Sequence, residues 1–387
     1  LVYAFKWAWA PAVDRCPMPV LTRVLGRRRA WLVLAQASLA AGLIGMAVVD
    51  PAENLSLLIF WAIFTAFASA TQDIALDAYR IESASAQQQG MLAAAYQFGY
   101  RVAMIWAGAG ALGIAAAASG AATGYDASAW RIAYLIMAAS VAGGFMAVLC
   151  SPEPKDAVSK RPGPAAGIGV LGCVKDAIWQ PFSDFYQRYK GWSVVLLALV
   201  AVYRISDVVM GIMANPFYAD MGFTKGEVAL VIKVFGVVMT LCGTFAGGLV
   251  VLKIGVLRAL MIGAVLSSAT NLLFAALAQA GHNVAFLIFT VSADNLAGGL
   301  ASAAFVAFLS GLTSREFSAT QYALLSSIML LLPKALAGFS GVAVEAAGYG
   351  AFFVGTALIG IPAMALIHVV GRSPFALEKA RDINPGS

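Results

Sequence analysis

The chain has 387 residues, of which 61% are hydrophobic and only 11% charged, with a net charge of +6 and a mean hydropathy of +0.83. That balance excludes an ordinary soluble domain, in which about 25% of residues are charged, and marks an all-α integral membrane protein, because backbone groups in lipid must pair within their own segment. Four cysteines without metal spacing and no GxxxxGK[ST] loop argue against a disulfide framework, a zinc site, a cofactor or an ATP-driven pump.

Apolar runs on the scale of about 20 residues predict spans near 1–13, 30–49, 55–80, 91–116, 130–150, 192–218, 226–251, 258–280, 284–311, 319–345 and 350–371. The first run is too short to cross a bilayer, and the chain opens at Leu1 in mid-pattern without a Met. The reading is therefore a fragment that lacks one N-terminal helix and part of the next, and twelve spans once these are restored. Arg15, Arg23, Arg27, Arg28, Arg29, Arg80, Lys155, Lys160, Arg161, Lys175, Arg188, Lys190, Lys253, Arg258, Arg315, Arg372, Lys379 and Arg381 fall on one side of these spans, against Lys225 and Arg131 on the other. The basic side is expected to be cytoplasmic, with the C-terminus inside, so the positive charge reads as topology and not as a nucleic-acid surface.

Residues 1–150 form a first, incomplete bundle in this reading, 151–190 a cytoplasmic linker, 191–371 a second bundle of six helices and 372–387 a tail. The linker contains "SPEPKDAVSKRPGPAAG" and then an amphipathic stretch. There Leu171, Val174, Ile178, Phe182, Phe185 and Tyr189 recur at helical spacing opposite Lys175, Asp176, Asp184 and Arg188. Such a helix lies on the inner membrane surface or packs on the bundle. "PAVDRCPMPVLTRVLGRRRAWLV" and "GGLVVLKIGVLRALMI" both join spans through a short basic turn, a weak internal repeat.

Charges inside the spans are the strongest functional signal, because each costs at least about 2.5–3.5 kcal/mol at a helix centre. Arg101, Arg204, Asp207, Lys233, Asp294 and Lys334 fall near mid-depth, with Lys6, Asp73 and Asp77 nearer the basic side. Asp77 and Arg80, and likewise Arg204 and Asp207, are three residues apart and can pair on one helix face. Asp73 has Arg101 on the next helix as its natural partner. Lys233, Lys334 and Asp294 have no local partner and are the better candidates for substrate contact. The four mid-depth bases outnumber the two acids, which favours an anionic substrate. Pro216 and Pro333 could unwind their helices, Gly298-Gly299 reads as close helix packing, and His282 and His368 read as surface residues.

"TQDIALDAYRIE" resembles the fourth-helix signature of the AmpG-type muropeptide permeases, a branch of the major facilitator superfamily. The likeness continues through "LGRRRAW", "QQGMLAAAYQFGYR", "CSPEP", "PFSDFYQR", "YRISD", "GFTKGEVALVIKVFG", "DNLAGGLASAAFVAFL", "FSATQYALLSS" and "VEAAGYGAFF". It implies two six-helix bundles and import of anhydromuropeptides across the bacterial inner membrane, driven by the proton motive force and feeding peptidoglycan recycling and β-lactamase induction. Its expected partners are the muropeptide, protons and the bilayer, with the protein a monomer. Asp73, with Arg101, and Asp294 are the expected proton carriers. Lys334, Lys233, Arg204, Asp207, Gln72, Gln97, Tyr100, Asn295 and Gln321 are the expected substrate contacts, with Tyr96, Tyr203, Asn271 and Tyr322 also available for a sugar. Asp77, Arg80, Asp14, Arg15, Arg27 and Arg28 are the expected gating residues, Asp14-Arg15 and Gly26 to Arg29 resembling the superfamily's inner loop. Pro333 departs from the glycine-arginine the family leads one to expect. Other anionic cargoes of related branches, acetyl-CoA or siderophores, are the alternative, and a polytopic enzyme lacks any nucleophile beside a base.

Overall fold

The computed structural model describes residues 2–18, 20–85, 88–119, 125–154 and 170–374, apart from the side chains of 170–178, 225 and 233–234. Among these residues every regular element is helical. Ten helices are long and apolar enough to cross a membrane: Arg27–Val48, Leu55–Ser83, Gln89–Ser119, Ala127–Cys150, Trp192–Asp220, Val237–Ile254, Val256–Ala280, Val284–Leu312, Ser318–Ala337 and Ser340–Gly371.

The opening of the chain departs from the expected span. It forms two 3-10 turns, Val2–Ala4 and Lys6–Ala8, and then a short α-helix, Ala10–Arg15. Pro11 lies in that helix's first turn. A proline has no N–H to give the carbonyl one turn earlier, so a new helix starts there instead of the old one continuing. The anticipated unwinding at Pro216 and Pro333 does not occur, since both lie inside unbroken helices. The break after Pro333 comes at Gly338-Phe339, and a second one falls inside Ser340–Gly371 at Gly348, whose φ of 75° is open to glycine and costly for other residues.

Two basic turns show why the repeat is visible in sequence. Arg27–Val48 begins after Gly26 with φ 86° and ψ 175°, and Val256–Ala280 begins after Gly255 with φ 86° and ψ 163°. The same left-handed glycine starts a span after each basic turn.

The chain forms two compact units. The first comprises Leu1–Ala84, Tyr100–Ser183 and Thr313–Ser327, and the second Ser85–Gly99, Asp184–Leu312 and Ile328–Ser387. In the first, Arg27–Val48 packs on Leu55–Ser83 and Ala127–Cys150. Its core gathers Val13, Leu32, Ile74, Ala75, Ala78, Ala319 and Ala323, mostly small residues that let helices approach closely. The core of the second is aromatic. Phe217 packs edge-on to Phe274, Tyr349 and Phe353, with ring centroids 5.0–6.3 Å apart.

Candidate functional site

The helix Leu55–Ser83 runs three residues past the expected end at 80, so Asp73 lies ten residues, or about 15 Å, from its C-terminal end. There it accepts a hydrogen bond from Lys6 Nζ at 2.5 Å, and the same ammonium is 3.9 Å from Asp77. Asp77 pairs with Arg80 at 3.4 Å, as the three-residue spacing led one to expect, and the Arg80 guanidinium lies 5.2 Å from the ring centre of Tyr322. Lys6, Asp77, Arg80 and Tyr322 are buried. Lys6, Asp73, Asp77 and Arg80 thus belong to one ionic cluster, held together because any one of these charges alone would be costly at this depth. Arg101, the partner expected for Asp73, is half-buried. Lys6 received no role from the sequence, because the turns that carry it have no helical periodicity to place it.

A second ionic cluster sits where the basic loops of the first unit meet. Arg28 is fully buried and donates to Asp14 at 2.7 Å, to Glu82 at 2.5 Å and to Ser318 at 2.7 Å. Arg27 donates to the Asp14 carbonyl and to Glu82. The Asp14 carboxylate also accepts the backbone N–H groups of Ala319 and Thr320 and the Thr320 hydroxyl, at 2.7–3.2 Å. A side chain some 300 positions away in sequence therefore caps the start of the helix Ser318–Ala337, where exposed N–H groups and the positive end of the helix favour an anion. Burial pushes the Asp14 carboxyl up, but the Arg28 guanidinium and the hydrogen bonds from Arg28 and Thr320 outweigh it and hold the group below the usual carboxylate range. Arg15 is half-buried and donates to Gln180 at 2.6 Å.

Glu153 completes this end. Its two oxygens accept the backbone N–H groups of Arg28 and Arg29 at 2.7 and 3.1 Å, while Arg29 donates to the carbonyls of Val148 and Leu149. Each helix end is satisfied by a charge of the sign its dipole prefers. A Cβ on Gly26 would lie 2.5 Å from the Glu153 side chain, so the glycine is needed for space as well as for φ. Glu82 and Glu153 were not singled out as site residues. Their one signal was position, closing "TQDIALDAYRIE" and sitting within "CSPEP".

In the second unit, Arg204 lies 3.6 Å from Asp207 and donates to Ser302 at 2.6 Å, Ser267 pairs with Asp207, and Thr270 donates to Asp294 at 3.1 Å. Asn271 is buried and donates to Ser206, which donates to the Thr356 carbonyl, pinning three helices. Asn295 bridges Val291 and Thr240. Gln321, expected at the substrate, is buried and uses both ends of its amide to hold Ser314 and Pro181. Those two amides bond other segments of the fold, which helical spacing cannot foresee. Lys334 and Tyr100 are exposed, and Gln72 and Gln97 half-buried, with the Gln72 Oε1 unpaired among the described residues. The Lys233 side chain lies outside the described residues; its backbone forms part of a π-helical segment, Val231–Gly236, a local widening common at functional sites.

No family model matches the chain. It is 33% identical over 372 residues to a transporter named AmpG 4 from Rickettsia felis, covering 96% of this chain and 86% of the relative. It is 31% identical over 368 residues to the anhydromuropeptide permease of Escherichia coli K12, covering 95% and 70%. Among solved structures it resembles the major facilitator transporter FucP in the outward conformation, with TM-score 0.69 and 14% identity over 96% of this chain and 89% of that one. The proton:xylose symporter XylE gives TM-score 0.66 at 16% identity, over 95% and 84%. Relatives named transporters and permeases set enzymes aside. The chain belongs to the AmpG-type muropeptide permease family and has the major facilitator fold, and so is a multi-pass secondary transporter of the inner membrane.

Proposed function

We propose that the chain imports anhydromuropeptides, GlcNAc-1,6-anhydroMurNAc with or without peptide, in symport with protons for peptidoglycan recycling. The name of the Escherichia coli relative supports the cargo. One observation carries the coupling: Lys6, Asp73, Asp77 and Arg80 are joined in one ionic cluster inside a membrane-spanning bundle. A proton on Asp73 removes one anion and leaves Lys6 with less compensation, so the cluster gains a positive charge as the cargo's carboxylates arrive. Proton and anion then favour the same state, which is the thermodynamic content of symport. Asp294 is a second carboxylate of this kind, and Lys334 with Arg204 a cationic contact for the peptide.

In this reading the basic end is cytoplasmic, the bundles are 1–150 and 191–371 with 151–190 as linker, and the protein acts as a monomer. Alternating access breaks and remakes the cap that Asp14 places on Ser318–Ala337, with Arg27, Arg28 and Glu82 holding Asp14 in register. The test compares gradient-driven uptake with exchange of labelled cargo at equal pH. Asp73→Asn is expected to lower gradient-driven accumulation by about 5–150-fold, the range of a coupling free energy of 1–3 kcal/mol, and to leave exchange in place. Undiminished gradient-driven uptake by that variant would overturn the coupling role.

A further inference from the structure

The amphipathic stretch of the linker forms the helix Val170–Tyr189, and its side chains are described from Trp179 onward. The stripe that periodicity singled out turns partly inward. Phe185 is 8% exposed, Arg188 and Tyr189 bond the Leu312 carbonyl, and the Pro181 carbonyl accepts from Gln321. Leu312 ends one span and Gln321 lies in the first turn of another. Trp192 opens a third span three residues after Tyr189. The helix is thus tied to span ends in its middle and at its last turn.

The opposite face is left outward. Trp179 is 70% exposed and Tyr186 63%, with Phe182 between them at 37%. Trp179 and Tyr186 are seven residues, about two turns, apart and so share a face. Lys190 follows at the end, exposed. In the same unit as Trp179, the short helix Leu21–Leu25 belongs to another basic turn and shows the same pairing, with Val20 and Val24 exposed by 73% and 77% beside Arg23. Three large aromatics at helical spacing, facing outward at the level where spans end, form an apolar face that monomeric proteins rarely leave in water. Tryptophan and tyrosine with flanking lysine and arginine are the side chains that settle at the headgroup level, where the ring meets hydrocarbon and the cation meets lipid phosphate.

We propose that this face is a docking surface for anionic phospholipid: Trp179, Phe182 and Tyr186 sit in the headgroup layer and Lys190 binds lipid phosphate. The charge of the surroundings selects that occupant over a zwitterionic one, since Lys190 at the end of the helix and Arg23 beside Val20 and Val24 are exposed, and each cation near an anionic leaflet adds its own attraction. This inference is independent of the cargo.

The test uses the full-length protein without its native cysteines, spin-labelled at Trp179→Cys or Tyr186→Cys, in vesicles of phosphatidylethanolamine with increasing phosphatidylglycerol. Both labels are expected to become accessible to dissolved oxygen and shielded from a water-soluble nickel complex as phosphatidylglycerol increases. Adding Lys190→Gln should raise the phosphatidylglycerol fraction needed by about fivefold, the loss of one cation's attraction near the surface. A Glu316→Cys label, on another loop, serves as a water-exposed control. Labels open to nickel at every lipid composition would place the face in water and overturn the proposal. Labels closed to both reagents would mean that protein covers it, which overturns it equally.

Discussion

Arg28 illustrates what a single side chain settles. Its guanidinium satisfies Asp14, Glu82 and Ser318 together, so truncation leaves two carboxylates buried without their main counter-charge. Removing one partner of such a pair costs about 3–5 kcal/mol. Arg28→Ala is expected to lower the thermal midpoint of the detergent-solubilised protein sharply, and Arg28→Lys to restore part of the loss, because lysine keeps the charge without the planar fork. Equal midpoints for Arg28→Ala and the parent would contradict the arrangement. Asp14 adds a pH signature. Its folded pKa is depressed, so its contribution is complete above the ordinary aspartate value of about 3.9 and lost as pH falls through the lower folded value. Asp14→Asn should flatten that acid limb of the stability curve. The sequence carried Asp14, Arg27 and Arg28 through the inner-loop pattern, and the Asp77–Arg80 pair through spacing alone. It could not carry Lys6, Glu82 or Glu153, whose roles arise where distant segments meet.

At the scale of elements, the helices Val237–Ile254 and Val284–Leu312 approach through their glycines. A Cβ at Gly243 would lie 2.0 Å from the Leu296 carbonyl oxygen, and one at Gly299 would lie 2.4 Å from that of Thr240. Gly298, the neighbour of Gly299, has nothing within 4 Å. Gly299→Ala is therefore expected to destabilise by about 1–3 kcal/mol through overpacking against backbone, and Gly298→Ala to be neutral or mildly stabilising. The two midpoints measured side by side check this, and equal effects would contradict the close approach. "Gly-Gly" read as packing was visible in sequence, but which of the two glycines bears the contact depends on helix rotation. Most spans were legible to within a few residues because hydropathy is a strong local signal, but the break between the last two, expected between 345 and 350, falls at Gly338-Phe339. The opening segment was not, since Pro11 interrupts a run whose composition is still that of a span.

At the scale of the molecule, the family and the fold followed from many modest motifs occurring in one order, and relatives at 31–33% identity agree with them. The two basic turns, each opened by a glycine in the left-handed region, are the remnant of a duplicated plan. What a linear reading supplied least was the division of labour among polar side chains. Gln321 looked like a sugar ligand by type, yet both ends of its amide hold other segments, and the buried Asn271 donates to Ser206 of another helix. The claim to test most directly is the transport itself. Full-length protein in proteoliposomes, given an inward proton gradient and labelled GlcNAc-anhydroMurNAc-peptide, should accumulate the label and lose it on addition of an uncoupler. A folded protein that takes up no label under that gradient would contradict the account.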